Sequence, residues 1–395
     1  MDSQHVQIER LVAGGDALGR LGDGRVVFVP GALPAEVVDV EITHTKKDFA
    51  RGRLINIVTS SPSRIAPPCE HVARGCGGCS WQHLALDAQM AAKLEIVREA
   101  LRRNGKVTDI EVVAGGRVAD RGARTTLRMA VDVNNRLGFR RESTHDVVDT
   151  PICLVAHPLL NELIAEISVY KADELTLRCG AATGERAAWV HDKDGRGAVT
   201  GLPASMSVAH DAKIHEIVHG TKFQVTMSSF FQSSLEGAEL LVDAVRLAAG
   251  ERALSGADGT VIDAYGGVGL FSATLLDHEV PMTLVESNTS SCHDAVVNLD
   301  QHNASIVQVS VEQWSGELAG LVIADPARNG LGAAGVEALV NTEARRIVLV
   351  SCDAVAGARD TRLLLDAGYK CGEAIVLDLF PHTPHVEVVS AFTRG

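Results

Sequence analysis

Four short apolar runs in the last third of the chain each end on a polar or reactive side chain. Val261-Ile262 leads to Asp263, Met282-Thr283-Leu284-Val285 to Glu286, Leu321-Val322-Ile323-Ala324 to Asp325, and Arg346-Ile347-Val348-Leu349-Val350 to Ser351-Cys352-Asp353. Strand-like runs alternating with helix-length segments from about Met227 onward predict a doubly wound parallel sheet. In open sheets of this kind ligands sit beyond the carboxyl ends of the strands. Asp263, Glu286, Asp325 and Cys352 are therefore expected along one edge, and their convergence constrains the fold more than any single motif. A helix-length gap later comes Phe380-Pro381-His382-Thr383-Pro384-His385-Val386-Glu387. A thiol at one strand end and a carboxylate at a later strand start predict a nucleophile and a base.

The turn after the first run, Tyr265-Gly266-Gly267-Val268-Gly269, lets backbone approach a ligand closely. Glu286 follows about twenty residues later, where a carboxylate accepts hydrogen bonds from both ribose hydroxyls. The turn lacks the full Gly-x-Gly-x-x-Gly fingerprint of pyrophosphate binding. A nucleoside cofactor without pyrophosphate, such as S-adenosylmethionine, fits better than NAD. Upstream, Phe230 and Phe231 in Ser228-Ser229-Phe230-Phe231-Gln232 read as core residues.

The earlier two thirds carry different chemistry. Residues 5–58 hold several short β-branched runs, among them Val26-Val27-Phe28-Val29, with glycine-rich turns between them; these predict a small OB-like barrel. A Ser/Pro linker covers 60–68. Cys69, Cys76 and Cys79 follow, with Cys153 further on, and together they supply four thiolates for zinc or an iron–sulfur cluster. Spacing does not separate the two. Cys179, Cys292 and Cys371 sit in apolar or helical contexts and read as small core residues or incidental thiols. An amphipathic helix is expected over about 87–104, then a mixed, β-rich stretch over 109–225. The resulting domains are 1–59, 60–225 and 226–395, within an α/β chain.

The 395 residues carry a net charge of −13, unevenly distributed. Residues 1–150 hold 21 basic and 19 acidic side chains, the remainder 16 and 31. Basic clusters such as Arg117, Arg121, Arg124 and Arg128 leave nucleic-acid binding open despite the overall acidity. There is no long apolar run to span a membrane and no signal-like N-terminus. A cytoplasmic protein with thiols used for metal or catalysis is expected, by default a monomer.

Over nearly its whole length the chain resembles the S-adenosylmethionine-dependent RNA uracil-C5 methyltransferases. The resemblance rests on Gly75-Cys76-Gly77-Gly78-Cys79-Ser80-Trp81-Gln82-His83-Leu84, on Leu137-Gly138-Phe139-Arg140-Arg141, on Ser229-Phe230-Phe231-Gln232, and on Ser351-Cys352 with His385-Val386-Glu387. It implies an N-terminal TRAM barrel, a [4Fe–4S] cluster on Cys69, Cys76, Cys79 and Cys153, and a Rossmann-like methyltransferase domain. It further implies cofactor contacts at Gln232, Tyr265, Gly267, Gly269, Glu286 and Asp325, with Cys352 as nucleophile and Glu387 as proton acceptor. Relatives with a TRAM domain point to 23S ribosomal RNA, with a transfer-RNA T-loop uridine as the alternative, or a catalytically impaired RNA-binding relative. Asp353 stands where the family commonly has Asn, and its charge is expected to raise the pKa of the adjacent thiol.

Overall fold

The structure, a computed structural model, describes residues 3–142 and 144–395. Strands β1 (Gln4–Leu11), β2 (Ala17–Arg20), β3 (Val26–Val29), β4 (Val37–Thr45) and β5 (Phe49–Thr59) close a barrel in the order β1-β2-β3-β5-β4. Alternation drives closure: Val6 and Ile8, Val27 and Val29, and Val38 and Val40 all point inward and are buried. Gly52 permits the close β4–β5 approach, because a β-carbon there would lie 2.1 Å from Val40 Cγ1. The barrel is tied to its linker by the buried Glu36. Its carboxylate accepts hydrogen bonds from Arg64 Nε (2.6 Å) and the Leu33 N–H (2.8 Å).

Helix α1 (Glu70–Ala73) follows Cys69, and α2 (Leu86–Ala100) runs on through a wider turn to Gly105. After β6 (Glu111–Arg117) come β7 (Thr126–Val131), β8 (Leu137–Arg140), β9 (Val147–Asp149), α3 (Pro158–Ile164), β10 (Ser168–Tyr170), β11 (Glu174–Cys179), β12 (Arg186–His191), β13 (Ala198–Thr200) and β14 (Ser207–Val208). They build a six-stranded sheet, β14-β12-β11-β7-β8-β9, and a β10-β13 pair. Leu127, Met129, Leu175 and Leu177 of the sheet pack on Leu160, Leu163 and Ile164 of α3. The hairpin β15 (Lys213–Val218) and β16 (Thr221–Thr226) closes this region.

The last part alternates helices with strands: α4 (Leu235–Ala249), α5 (Glu251–Leu254), β17 (Val261–Ala264), α6 (Leu270–Leu275), β18 (Met282–Glu286), α7 (Thr289–Asn298), β19 (Ala304–Gln308), β20 (Leu321–Ala324), α8 (Gly332–Val340), β21 (Arg346–Ser351), α9 (Ala354–Asp366), β22 (Glu373–Asp378) and β23 (Glu387–Thr393). The sheet order is β19-β18-β17-β20-β21-β23-β22-β6. Strands β17 to β21 run parallel, and β23 is inserted antiparallel between β21 and β22. Chain order reverses between β17 and β20, which opens a crevice there. The sheet extends beyond residues 226–395, because β6 pairs in parallel with β22. Without β6 the apolar β22, with Ala374, Ile375 and Val376 buried, would present an unpaired edge. Among the described residues no helix is long and apolar enough to cross a membrane.

Candidate active site at the carboxyl edge of the sheet

The carboxyl ends of β17, β18, β20 and β21 and the start of antiparallel β23 meet at one edge. A cavity of ≈ 750 Å³ opens there, lined by Gln232, Tyr265, Gly267, Glu286, Asp325, Cys352 and Glu387 together with Phe230, Arg124, Arg328 and His385. Gly267, in the left-handed region at φ 55°, has open space where a side chain would stand, so backbone forms that wall. Glu286 is oriented by the Gly267 N–H, which donates to Oε2 (3.1 Å), and by the Asn288 N–H, which donates to Oε1 (2.6 Å). The Tyr265 hydroxyl donates to Glu312 Oε1 (2.7 Å). Gly269 does not line the cavity. It precedes α6 at φ 88°, a conformation that suits glycine, and a β-carbon there would press on Leu299 at 3.1 Å.

Register brings thiol and carboxylate together. Ser351 pairs with Val388 across β21 and β23, so the next residues, Cys352 and Glu387, fall opposite one another. Directly opposed residues in an antiparallel pair have β-carbons about 4.5–5.5 Å apart. Burial, followed by the charges of Glu387 and Asp325, pushes the Cys352 thiol up to about 12, while Arg328 favours its thiolate. Glu387 is only 4% exposed and its Oε1 has no partner among the described residues. Burial and then Asp325 push its carboxyl well up. Asp325 is itself raised by burial and by Asp263. Asp263, which accepts from the Ser272 hydroxyl (2.5 Å), is pushed up to about 6 by burial. The edge therefore holds a row of carboxyl groups whose pKa values are raised by burial and by one another.

Two expectations need correction. Asp353 is not among the groups that shift the Cys352 thiol. Its Oδ1 accepts from the Val355 and Ala356 N–H groups (3.0 and 2.8 Å), capping α9. The carboxylate turns toward the helix rather than the sulfur. Phe230 and Phe231 both line the cavity, but Phe230 is 70% exposed whereas Phe231 is buried as read from sequence. The segment is pinned just ahead of Phe230. Arg178 of β11 donates to the Thr226 and Ser229 carbonyls (2.9 and 3.1 Å), and Asp294 of α7 accepts from the Ser229 hydroxyl (2.6 Å). With its neighbours fixed, Phe230 is directed outward.

Arg124 and Arg328 escaped notice as site residues. Arg328 had a signal, lying three residues past the strand-end Asp325. Arg124 had only its place in a basic cluster, since tertiary packing is what brings it within 5.5 Å of the Phe380 ring centre.

Arg124 and Gly78 also line a second cavity, of ≈ 160 Å³, with Cys69, Cys76, Cys79 and Cys153 around it. Burial pushes Cys79 up to about 11 and raises Cys76 and Cys153, with neighbouring thiols adding to each shift. Among the described residues no three His, Cys, Asp or Glu side chains converge tightly enough for a single ion. The four thiols instead surround a space several times the ~30 Å³ share of one water. Cys179 and Cys292 are buried away from it, and Cys371 is half-buried.

Comparison with known proteins agrees with this architecture. Residues 2–55 match the TRAM domain family. An RNA methyltransferase of Gloeobacter violaceus is 30% identical over 99% of this chain and 96% of its own length. The 23S rRNA (uracil(1939)-C(5))-methyltransferase RlmD of Methylococcus capsulatus is 31% identical over 94% of this chain and 93% of its own. Among solved structures, the Pyrococcus abyssi tRNA (uracil-54, C5)-methyltransferase in complex with S-adenosyl-L-homocysteine superposes with a TM-score of 0.75. It is 26% identical, and the match covers 98% of this chain and all of that one.

Proposed function

Because the chain belongs to the S-adenosylmethionine-dependent RNA uracil-C5 methyltransferase family, we propose that it methylates a uridine of 23S ribosomal RNA through a covalent bond from Cys352. The observation that carries this reading is the opposition of Cys352 and Glu387 inside the cavity that also holds Gln232, Tyr265, Glu286 and Asp325.

Uracil C5 is too weak a nucleophile to take a methyl group unaided. Cys352 attacks C6 as the thiolate, the 5,6 double bond opens, and electron density moves to C5 and O4. S-adenosylmethionine, when bound, supplies a methyl group on a positively charged sulfur. C5 takes that methyl, Glu387 removes the C5 proton, and the C6–S bond breaks to restore the ring and the thiolate. The carboxyl groups of Glu286, Asp325 and Glu387 favour a cationic guest, and Arg328 stabilises the thiolate. Gln232, Tyr265 and Gly267 bound the same pocket from the methyl-donor side. A stacked base cannot reach a recessed thiol, so the target is flipped out. Phe230 offers it an exposed ring face.

Cys69, Cys76, Cys79 and Cys153 would hold a [4Fe–4S] cluster. Support comes from the donor set and the size of the space, since zinc would draw its sulfurs to about 2.3 Å from one centre. A cluster there supplies structural cross-linking, and the methyl transfer derived above needs no electron from it.

The likeness to the Pyrococcus abyssi enzyme favours a second target, the T-loop uridine of transfer RNA. The test is to supply the purified protein with radiolabelled methyl donor and, separately, 23S ribosomal RNA and transfer RNA lacking 5-methyluridine. Label in 23S RNA alone is expected. Label confined to transfer RNA overturns the target, and label in neither overturns the activity.

A further inference from the structure

Glu387 has little to hold its carboxylate, since one oxygen lacks any partner among the described residues. Its position comes from the backbone: from the pairing of β23 with β22 and β21, and from the bend that leads into the strand. The connecting residues 379–386 are fixed from outside by α2 and by the segment that follows Cys79. Gln89 of α2, fully buried, accepts the His382 N–H at Oε1 (2.7 Å). Its Nε2 donates to the Leu84 and Trp81 carbonyls (2.7 and 3.2 Å). The Trp81 N–H donates to the His382 carbonyl (2.8 Å), and Trp81 Nε1 donates to the Gly15 carbonyl of the barrel (3.1 Å). One turn along α2, Lys93 donates to the Phe380 carbonyl (3.1 Å) and pairs with Asp378. Both members of that pair are fully buried, a costly arrangement in a dry interior.

His382 itself is in the left-handed region, at φ 65°. A non-glycine residue holds that conformation when its surroundings over-determine it. Here both of its backbone groups are taken by residues about 300 positions away in sequence, Gln89 and Trp81, rather than by the loop. The bend fixes how the chain enters β23, whose pairing with β21 and β22 places Glu387 opposite Cys352.

We propose that Gln89 is a positioning residue for the proton acceptor, holding the His382 bend so that Glu387 meets the C5 proton. The proposal rests on the assignment of Glu387 as that acceptor. The Gln89→Met variant keeps the bulk but not the hydrogen bonds. It is expected to lower kcat on the order of 10- to 100-fold, the cost of displacing a reacting group by about an ångström. Binding of S-adenosylhomocysteine and capture of RNA carrying 5-fluorouridine should be unchanged, because neither uses Glu387. With ordinary uridine RNA and methyl donor, protein–RNA adduct should accumulate, since release is the slowed step. Gln89→Glu, which keeps an acceptor for the His382 N–H, should recover a substantial part of kcat. The proposal is overturned if Gln89→Met turns over normally. It is also overturned if its donor binding, capture and kcat all fall together, which marks general destabilisation. Glu387→Gln separates the two levels. If it accumulates adduct while Gln89→Met does not, only the positioning role fails. If it does not accumulate adduct, the acceptor assignment fails.

Discussion

The two cavities share Gly78 and Arg124 as a wall, and each contains buried thiols whose pKa is raised, yet their surroundings give them opposite chemistry. Around the smaller cavity burial and then neighbouring thiols raise Cys76, Cys79 and Cys153, with Arg124 as a nearby counter-charge to the last two. Such a group of sulfurs loses its protons most readily to a cation that several of them hold at once. In the larger cavity a single thiol is raised by burial and then by carboxyl groups, with Arg328 opposing them. A lone thiol beside a carboxylate and a space of ≈ 750 Å³ is suited to bond transiently to a guest molecule. Burial is similar in the two places, and the neighbours decide between ligand and nucleophile.

The contrast predicts effects that should cross. Cys352→Ala should reduce methylation to background, on the order of 10³-fold or more, and abolish capture of 5-fluorouridine RNA. Bound iron should be unaffected. If that variant methylates at the normal rate, the thiol is not the nucleophile. Cys79→Ala should do the reverse, losing iron measured by elemental analysis and the broad visible absorbance, and lowering Tm. It should retain capture by whatever fraction stays folded. Stoichiometric zinc in the wild-type protein would replace the cluster reading with a single-ion one.

A smaller effect concerns the carboxyl row. Its members have pKa values raised in the folded protein, Asp263 to about 6, against about 4 unfolded. The native state therefore binds more protons through that window. The row's contribution to stability is full at low pH, below the unfolded value, and falls as pH rises through 6 and beyond. Asp325→Asn should flatten the decline of Tm between pH 5 and 8, which is read by thermal denaturation. An unchanged slope would mean that solvent reaches the row.

The smallest effect separates Asp353 from the sulfur. Asp353→Asn preserves the α9 cap and should leave both Tm and the pH dependence of thiol alkylation unaltered. Asp353→Ala should cost about 1 kcal/mol through the lost cap. A clear fall in the Cys352 pKa in the Asn variant would restore the electrostatic role read from the sequence.

How much was legible in the chain follows from the range of each signal. The barrel runs, the α2 periodicity and the strand-end carboxylates are local patterns, and each lies where those patterns point. That β6 joins the C-terminal sheet was not legible, because its partner β22 lies more than 250 residues away and neither strand marks the other. Asp353 did carry a local signal: an Asp preceding a helix reads as a cap, but proximity to Cys352 drew attention to its charge instead. Phe230 and Phe231 are chemically identical neighbours, and what sends one outward is the anchoring of Ser229 by Arg178 and Asp294. The convergence of Glu286, Asp325 and Cys352 was foreseeable because the carboxyl edge of such a sheet gathers strand ends regardless of their separation, whereas Gln232 and Tyr265 were implied only by the family resemblance.

The central claim is that Cys352 bonds to the uracil and Glu387 then releases it. Its most direct test is to incubate Glu387→Gln with S-adenosylmethionine and unmodified substrate RNA, digest both polymers, and locate the cross-link by mass spectrometry. A 5-methylated uridine nucleotide attached to the peptide containing Cys352 is expected. RNA that becomes methylated with no adduct, or an adduct on any other residue, would contradict the account.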